Sequence, residues 1–303
     1  MKRAVSVSLG STSRDHRVVV ELLGQQIEIE RIGTNGSVRR AKQLYEEFDS
    51  GVHGPVDCLG VGGAVLSIDT RERSYTLPAV QAMVAGVWQT PVVDGSGFKN
   101  VVERRMAQRL LYEIGEEIYP RTVLVSAAAD RLGLALSFQE AGFELVLGDL
   151  MFALGLPIPL HGLDAFDRAL NLLGPLLRFL PMSMLYPTGE REDVNKPRFG
   201  RWFRWAKVIA GDCNYTTRRM PLDMRGKIVA TNTTTPRDVE LFRERGVRYL
   251  ATSTPRMGER SFGTNLMEAT LVALSGQGRT LPADEIEALI DELGWGTEIL
   301  RLN

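Results

Sequence analysis

Short β-branched runs alternate with stretches of helical spacing along most of this chain, and that alternation restricts it to an α/β fold with a largely parallel sheet. The sharpest junction is Pro91-Val92-Val93-Asp94-Gly95-Ser96-Gly97-Phe98-Lys99-Asn100. A β-branched run ends in an acid and two glycines allow a sharp turn. Val101, Val102, Met106, Leu110, Leu111, Ile114 and Ile118 then follow one long amphipathic pattern. The order is strand, tight turn, helix. It aims a carboxylate at the mouth of the sheet, where α/β folds place their ligands. Asp94 and Lys99 held in one cleft would make a candidate acid/base pair. Asp94 before Gly-Ser-Gly is equally an ordinary turn former or helix cap.

Strand-like runs at residues 4–9, 26–32, 56–61 and 91–93 enclose helical patterns at 37–48 and 77–87. A second unit starts after Tyr119-Pro120-Arg121, with strands at 122–125 and 143–147 around a helix at 128–141. Further strands at 208–210, 227–230 and 247–251 and helices at 236–245, 265–274 and 282–293 complete the chain. The leucine- and proline-rich stretch from Gly155 to Pro187 contains Asp164, Asp167, Arg168 and Arg178. It is too polar for a membrane span and reads as a helical insertion. The expected architecture is two α/β domains around a cleft, the second Rossmann-like. The first takes residues 1–103 plus 264–303, and the second takes 104–263 with the insertion near 150–205.

Charge excludes some functions. With 36 Lys and Arg against 37 Asp and Glu, the net charge of −1 offers no bulk attraction to nucleic acid or an anionic membrane. The three histidines and two cysteines show no metal-ligand spacing, so no metal is expected. Serines alternate with valines after Met1-Lys2-Arg3, which is a strand and not a signal-peptide core, and a cytoplasmic address follows. Arg198-Phe199-Gly200-Arg201-Trp202-Phe203-Arg204-Trp205 reads as a packed helix start whose arginine stems cover a core edge.

Several turns are candidate binding sites. The first turn of the second unit is Ser126-Ala127-Ala128-Ala129-Asp130, without the glycines that let a backbone approach a pyrophosphate. Asp149 closes the next strand, about 20 residues on, where an acid holds the ribose hydroxyls of NAD and repels a 2′-phosphate. The acid fits a dinucleotide and the turn does not. Thr231-Asn232-Thr233-Thr234-Thr235-Pro236 lines a cleft or caps a helix. Arg256 and Arg260, beside a helix start at Asn265, suit a carboxylate or phosphate, or belong to a surface loop. Ser6 and Ser8 share one face of the first strand and suit a polyol or carboxylate.

Together these pieces resemble the shikimate/quinate dehydrogenase family, the quinate 5-dehydrogenase kind in particular. Ser6-Val7-Ser8 is similar to the family's Ser-x-Ser strand, and Val92-Val93-Asp94-Gly95-Ser96-Gly97-Phe98 to its Asn-Thr-Asp-Gly-x-Gly-Phe motif. Asn232-Thr233-Thr234 resembles the stretch beside the nicotinamide, and Gly263-Thr264-Asn265-Leu266-Met267-Glu268 the closing helix. The family's lysine motif is replaced by Leu77-Pro78-Ala79, and its closing glutamine is absent, with Glu268 nearby. The resemblance implies an oxidoreductase using NAD or NADP on a hydroxylated cyclic acid, a small-molecule substrate and a homodimer. Asp94 and Lys99 would handle the proton, and Ser6, Ser8 and Asn100 would hold the substrate. Ser126, Ala127, Asp149, Asn232 and Thr233 would lie at the cofactor. The rival is a non-catalytic ligand-binding or regulatory protein of the same shape. A third reading is another enzyme using the cleft for a phosphorylated metabolite.

Overall fold

The structure is a computed structural model, described for residues 1–177, 179, 195–257 and 260–303. Arg178 and the 180–194 part of the expected insertion lie outside the described residues, as do Gly258 and Glu259. The side chains of Arg256 and Arg260, the candidate anion-binding pair, lie outside them too.

Two sheets organise a two-domain α/β fold. The first uses β1 (Lys2–Ser8), β2 (His16–Leu22), β3 (Gln25–Gly33) and β4 (Cys58–Gly62). The hairpin β5 (Ser67–Asp69) and β6 (Ser74–Thr76) comes next, then β7 (Val92–Val93). The sheet order is β2-β3-β1-β4-β7, parallel except for β2. Alternate residues point to opposite faces. Val5, Val7, Leu59 and Val61 meet α1 (Val38–Asp49) and α2 (Pro78–Val84) on one face. Ala4, Ile27, Ile29 and Cys58 meet α3 (Ser96–Arg104) on the other, where Phe98 is fully buried. Helix α1 starts where the Ser37 side chain accepts from Arg40 N, satisfying one of the free amides of the first turn.

The second sheet contains β8 (Thr122–Val125), β9 (Glu144–Leu147), β10 (Leu160–His161), β11 (Val208–Ala210), β12 (Ile228–Thr231) and β13 (Tyr249–Thr252). A small hairpin, β14 (Arg256–Met257) and β15 (Arg260–Ser261), follows, and β16 (Glu298–Arg301) returns to the sheet. The order is β10-β9-β8-β11-β12-β13-β16, with five parallel strands between antiparallel edges. Strands covered on both faces read as continuous apolar runs, as TVLV at β8 does. Val123, Val125, Leu145 and Leu147 face α4 (Met106–Ile114), α5 (Leu132–Glu140) and α7 (Gly162–Leu177). Leu124, Val146, Ile209 and Val229 face α6 (Asp149–Phe152), α8 (Gly200–Trp205), α9 (Cys213–Arg219) and α10 (Pro236–Glu244). The arginine–aromatic segment forms α8, with Phe203 wholly buried against the sheet.

Two expectations change. The amphipathic pattern from 101 to 118 breaks at Arg105, because α3 packs on the first sheet and α4 on the second. The segment 264–303 also divides. Helices α11 (Thr264–Ser275) and α12 (Ala283–Glu292) return to the first sheet. Strand β16 instead pairs with β13, from Tyr249↔Arg301 to Thr252↔Glu298, and covers its open edge. The chain therefore crosses between domains at Arg105, ahead of α11, and between α12 and β16.

The connection from β8 to β9 runs through α5 on one face of the second sheet. Those from β11 to β12 and to β13 run through α9 and α10 on the other. The carboxyl ends of β8 and β11 consequently flank a topological switch point, where such sheets open a crevice.

Candidate functional site

At that crevice α3 of the first domain lies against the turn after β8. Gly133 lets them approach, since a Cβ there would sit 3.1 Å from Asn100 Cα. Lys99 Nζ reaches across and pairs with Asp130 Oδ1 at 2.8 Å, also donating to the Asp130 carbonyl at 3.2 Å. One helical turn on, Glu103 pairs with the buried Arg131. Arg131 Nη2 also meets Asp212 Oδ2 at 3.3 Å, just after β11. Ser67, Asp69, Ser96, Lys99, Asn100 and Asp130 are among the residues lining a cavity of about 20 Å³ between the domains, the size of one water molecule.

These charges balance one another across the gap. Burial opposes the ionisation of Asp130, but Lys99 and Arg131 outweigh it and hold the carboxyl below its ordinary value. Burial pushes Glu103 up despite Arg131 and Lys99. Burial works against the charge on Arg131, yet Glu103, Asp130 and Asp212 raise it. Three carboxylates face two cations, and Asp69 on the rim adds a fourth. Glu103 Oε2, Arg131 Nε and Ser126 Oγ are buried without hydrogen-bond partners. Such atoms mark a polar interior with unused hydrogen-bonding capacity.

The residues proposed as a proton-handling pair have different partners. Asp94 accepts from Leu66 N at 2.6 Å and Ser96 N at 2.9 Å, so it ties the turn before α3 to the loop ahead of β5. Lys99 instead faces the second domain, paired with Asp130. Ser6 Oγ accepts from Asn265 Nδ2 at 2.5 Å, and Ser8 Oγ from Arg31 Nη2 and Gly10 N, both at 3.1 Å. Neither serine lines the cavity; Asn100 does.

The cofactor candidates are likewise engaged. Asp149 accepts from Ala128 N at 3.1 Å and Ala129 N at 2.8 Å, so its carboxylate occupies the amides a pyrophosphate would need. Burial raises its pKa to about 6 against those two amides. A dinucleotide would have to displace this buried group, and the residues do not fit it. Ser126 packs against Gly211, where a Cβ would overlap its Oγ, and Ala127 is buried beside it. Asn232 Nδ2 donates to Asp212 Oδ2 at 3.2 Å, and its Oδ1 receives Cys213 N at 3.4 Å. Thr233 Oγ1 donates to Phe262 O at 3.3 Å and lies 3.3 Å from Thr254 Oγ1.

Sequence reading missed Glu103, Arg131 and Asp212 as site residues. The available signal was positional: Asp130-Arg131 and Gly211-Asp212 each follow a strand end, and Glu103 lies one helical turn beyond Lys99. Among the described residues no group of three or more His, Cys, Asp or Glu is placed to hold a metal ion. No helix among them is long and apolar enough to cross a membrane.

Residues 97–302 match the family described as Domain of unknown function (DUF8754), and residues 3–94 match Domain of unknown function (DUF8753). No curated protein matches the chain. Among solved structures, a Mycobacterium smegmatis protein in complex with β-D-fucofuranose is 10% identical with a TM-score of 0.39, over 99% of each chain. A galactofuranose binding protein is 9% identical with a TM-score of 0.37, over 97% of this chain and 99% of its own. A sugar ABC transport substrate-binding protein from Bordetella parapertussis 12822 is 13% identical with a TM-score of 0.36, covering 93% of this chain and 82% of its own. The family match is to DUF8754 and not to the shikimate/quinate dehydrogenases, so that resemblance is corrected, and the oxidoreductase expectation with it. The pairing of Lys99 with Asp130 and the occupied amides at Ala128 and Ala129 stand against that chemistry.

Proposed function

The chain belongs to the family described as Domain of unknown function (DUF8754), and from its own residues we propose that it is a non-catalytic binding protein. It takes a small, uncharged, polyhydroxylated molecule into the cleft between its domains. The observation that carries this reading is the pairing of Lys99 with Asp130 and of Glu103 with Arg131 across the gap. Those groups are committed to closing the cleft, and none is left as a free base or nucleophile. Their excess of carboxylate disfavours an anionic ligand. Ser67, Ser96 and Asn100 on the wall offer hydroxyl and amide partners, the groups that fix a polyol's orientation.

We read the second domain as Rossmann-like in its winding, with its switch point serving a ligand that has no phosphate. The ligand pockets of proteins run to roughly 300 Å³ and above, so the domains must part to admit such a molecule. Calorimetry with a panel of neutral monosaccharides and linear polyols tests the reading. At least one should bind, and Asn100→Trp, which fills the cleft from an exposed helix position, should abolish the heat without lowering the melting temperature. Silence across the panel, or equal binding by Asn100→Trp, would overturn it.

A further inference from the structure

The opposite edge of the second sheet carries a larger cavity, about 680 Å³, with the reverse charge. It lies at the amino-terminal ends of β12 and β13, a full strand length from the interdomain cleft. The loop before β12, the loop before β13 and the end of β16 enclose it. They are stitched together: Met224 N donates to Arg245 O at 2.8 Å, Arg248 N to Lys227 O at 2.8 Å, and Leu302 N to Arg248 O at 2.8 Å. Arg225, Arg243, Arg245, Arg248 and Arg301 line it against only Asp223 and Glu244. In a chain of net charge −1, that is a local concentration of cations.

Three of the five have carboxylate partners. Arg225 is held to Asp223 at 2.7 Å, Arg243 to Glu240, and Arg248 to Glu117 at 2.6 Å. Surface pairing of this kind is a sufficient account of those arginines. It does not account for Arg245, whose Nη1 is buried with no hydrogen-bond partner, or for Arg248 Nε, which is buried and unpartnered as well. A buried donor without an acceptor is costly; both residues also line the cavity, where an anion would add a counter-charge to their guanidinium groups. Behind the wall, Lys207 Nζ donates to Gly226 O at 3.0 Å and Lys227 Nζ to Ala206 O at 2.6 Å. Burial lowers the pKa of Lys207, with Arg248 adding to it, and burial lowers Lys227, with Lys207 adding to it. The region already holds more positive charge than its own carboxylates neutralise.

We propose that this cavity is a second binding site, separate from the interdomain cleft, for a small oligophosphate. Several guanidinium forks facing a space of this size suit linked phosphate groups, each able to accept paired N–H donors. One phosphate would leave most of the arginines unused.

Calorimetry of the full chain with inorganic tripolyphosphate at low salt tests the site, with citrate as the carboxylate comparison. Tripolyphosphate should bind more tightly than citrate and lose affinity as salt rises. Arg245→Gln should weaken it by about tenfold or more, the usual effect of losing a charge-assisted hydrogen bond. Arg301→Gln, at the accessible end of β16, should weaken it by a few-fold and serves if Arg245→Gln fails to fold. Asn100→Trp should leave tripolyphosphate binding intact and Arg245→Gln should leave polyol binding intact, so the two sites fail independently. Absence of tripolyphosphate binding at millimolar concentration, tighter binding of citrate, or indifference to both arginine substitutions would overturn the proposal.

Discussion

Glu268 is nearly buried on α11, where its Oε2 receives the Phe98 amide at 3.2 Å at the start of α3. Burial lifts its pKa from an ordinary 4.5 to about 7; the amides of Phe98 and Gly97 resist this, and Asp94 adds to it. The folded state then binds a proton that the unfolded chain has released. Stability from this group is fully present below about pH 4.5 and is lost as pH rises towards 7. The whole effect is on the order of 3 kcal/mol at about 1.4 kcal/mol per pKa unit. Glu268→Gln keeps an oxygen acceptor without the charge. It should raise the melting temperature near pH 8 and leave it unchanged near pH 4; an equal shift at both would show that the carboxyl is not the cause. Residue-level reading was weakest where it judged partners. Asp94 was legible as a turn former, because an Asx side chain bonding two residues ahead is a local event. Which group Lys99 meets was not, because its partner lies 31 residues away on another domain.

Most elements were legible where a β-branched run is fully buried or a helical stripe is long. Strands 122–125 and 208–210, buried throughout, stand where the pattern placed them. What escaped were partly exposed strands. β2 alternates exposed and half-buried residues, and the strands of the β5–β6 hairpin and β16 have no buried residue. Such segments gain their structure from neighbours and carry little periodicity of their own. The turn between β7 and α3 shows the opposite, a local sequence dictating local geometry. Gly95 has φ +90°, and a Cβ there would come within 2.5 Å of Asn265 N and 2.7 Å of Thr264 C. Because the neighbours are backbone of α11, they have no rotamer through which to yield. Gly95→Ala should therefore destabilise the protein by about 2 kcal/mol or more, combining left-handed strain with the clash. The urea midpoint measures this, and an unchanged midpoint would mean that the turn relaxes freely.

The domains also meet beyond the central cleft. Arg71, between β5 and β6, pairs with Asp164 and with Asp167, its Nε 2.6 Å from the latter, and Tyr75 OH donates to Asn171 at 2.8 Å. All three partners lie on α7, so the hairpin spans the gap like a clasp. Arg71→Ala should shift the population towards an open form, seen as a larger radius of gyration by small-angle scattering, and polyol should reverse it. An unaltered scattering curve would mean the charged pairs in the cleft hold the domains alone. The two domains themselves were legible from strand–helix alternation, whereas the destination of β16 depends on which edge is left open. The return of α11 and α12 bears on how the protein is made. Leu266, Met267, Ile286 and Ile290 complete the core around Ala4, Ile27 and Phe98. During synthesis, β1, β3 and β4 stay incompletely covered on that face until α11 and α12 have left the ribosome. The second domain, most of it contiguous, is free to collapse earlier, so the order of folding runs against the order of translation.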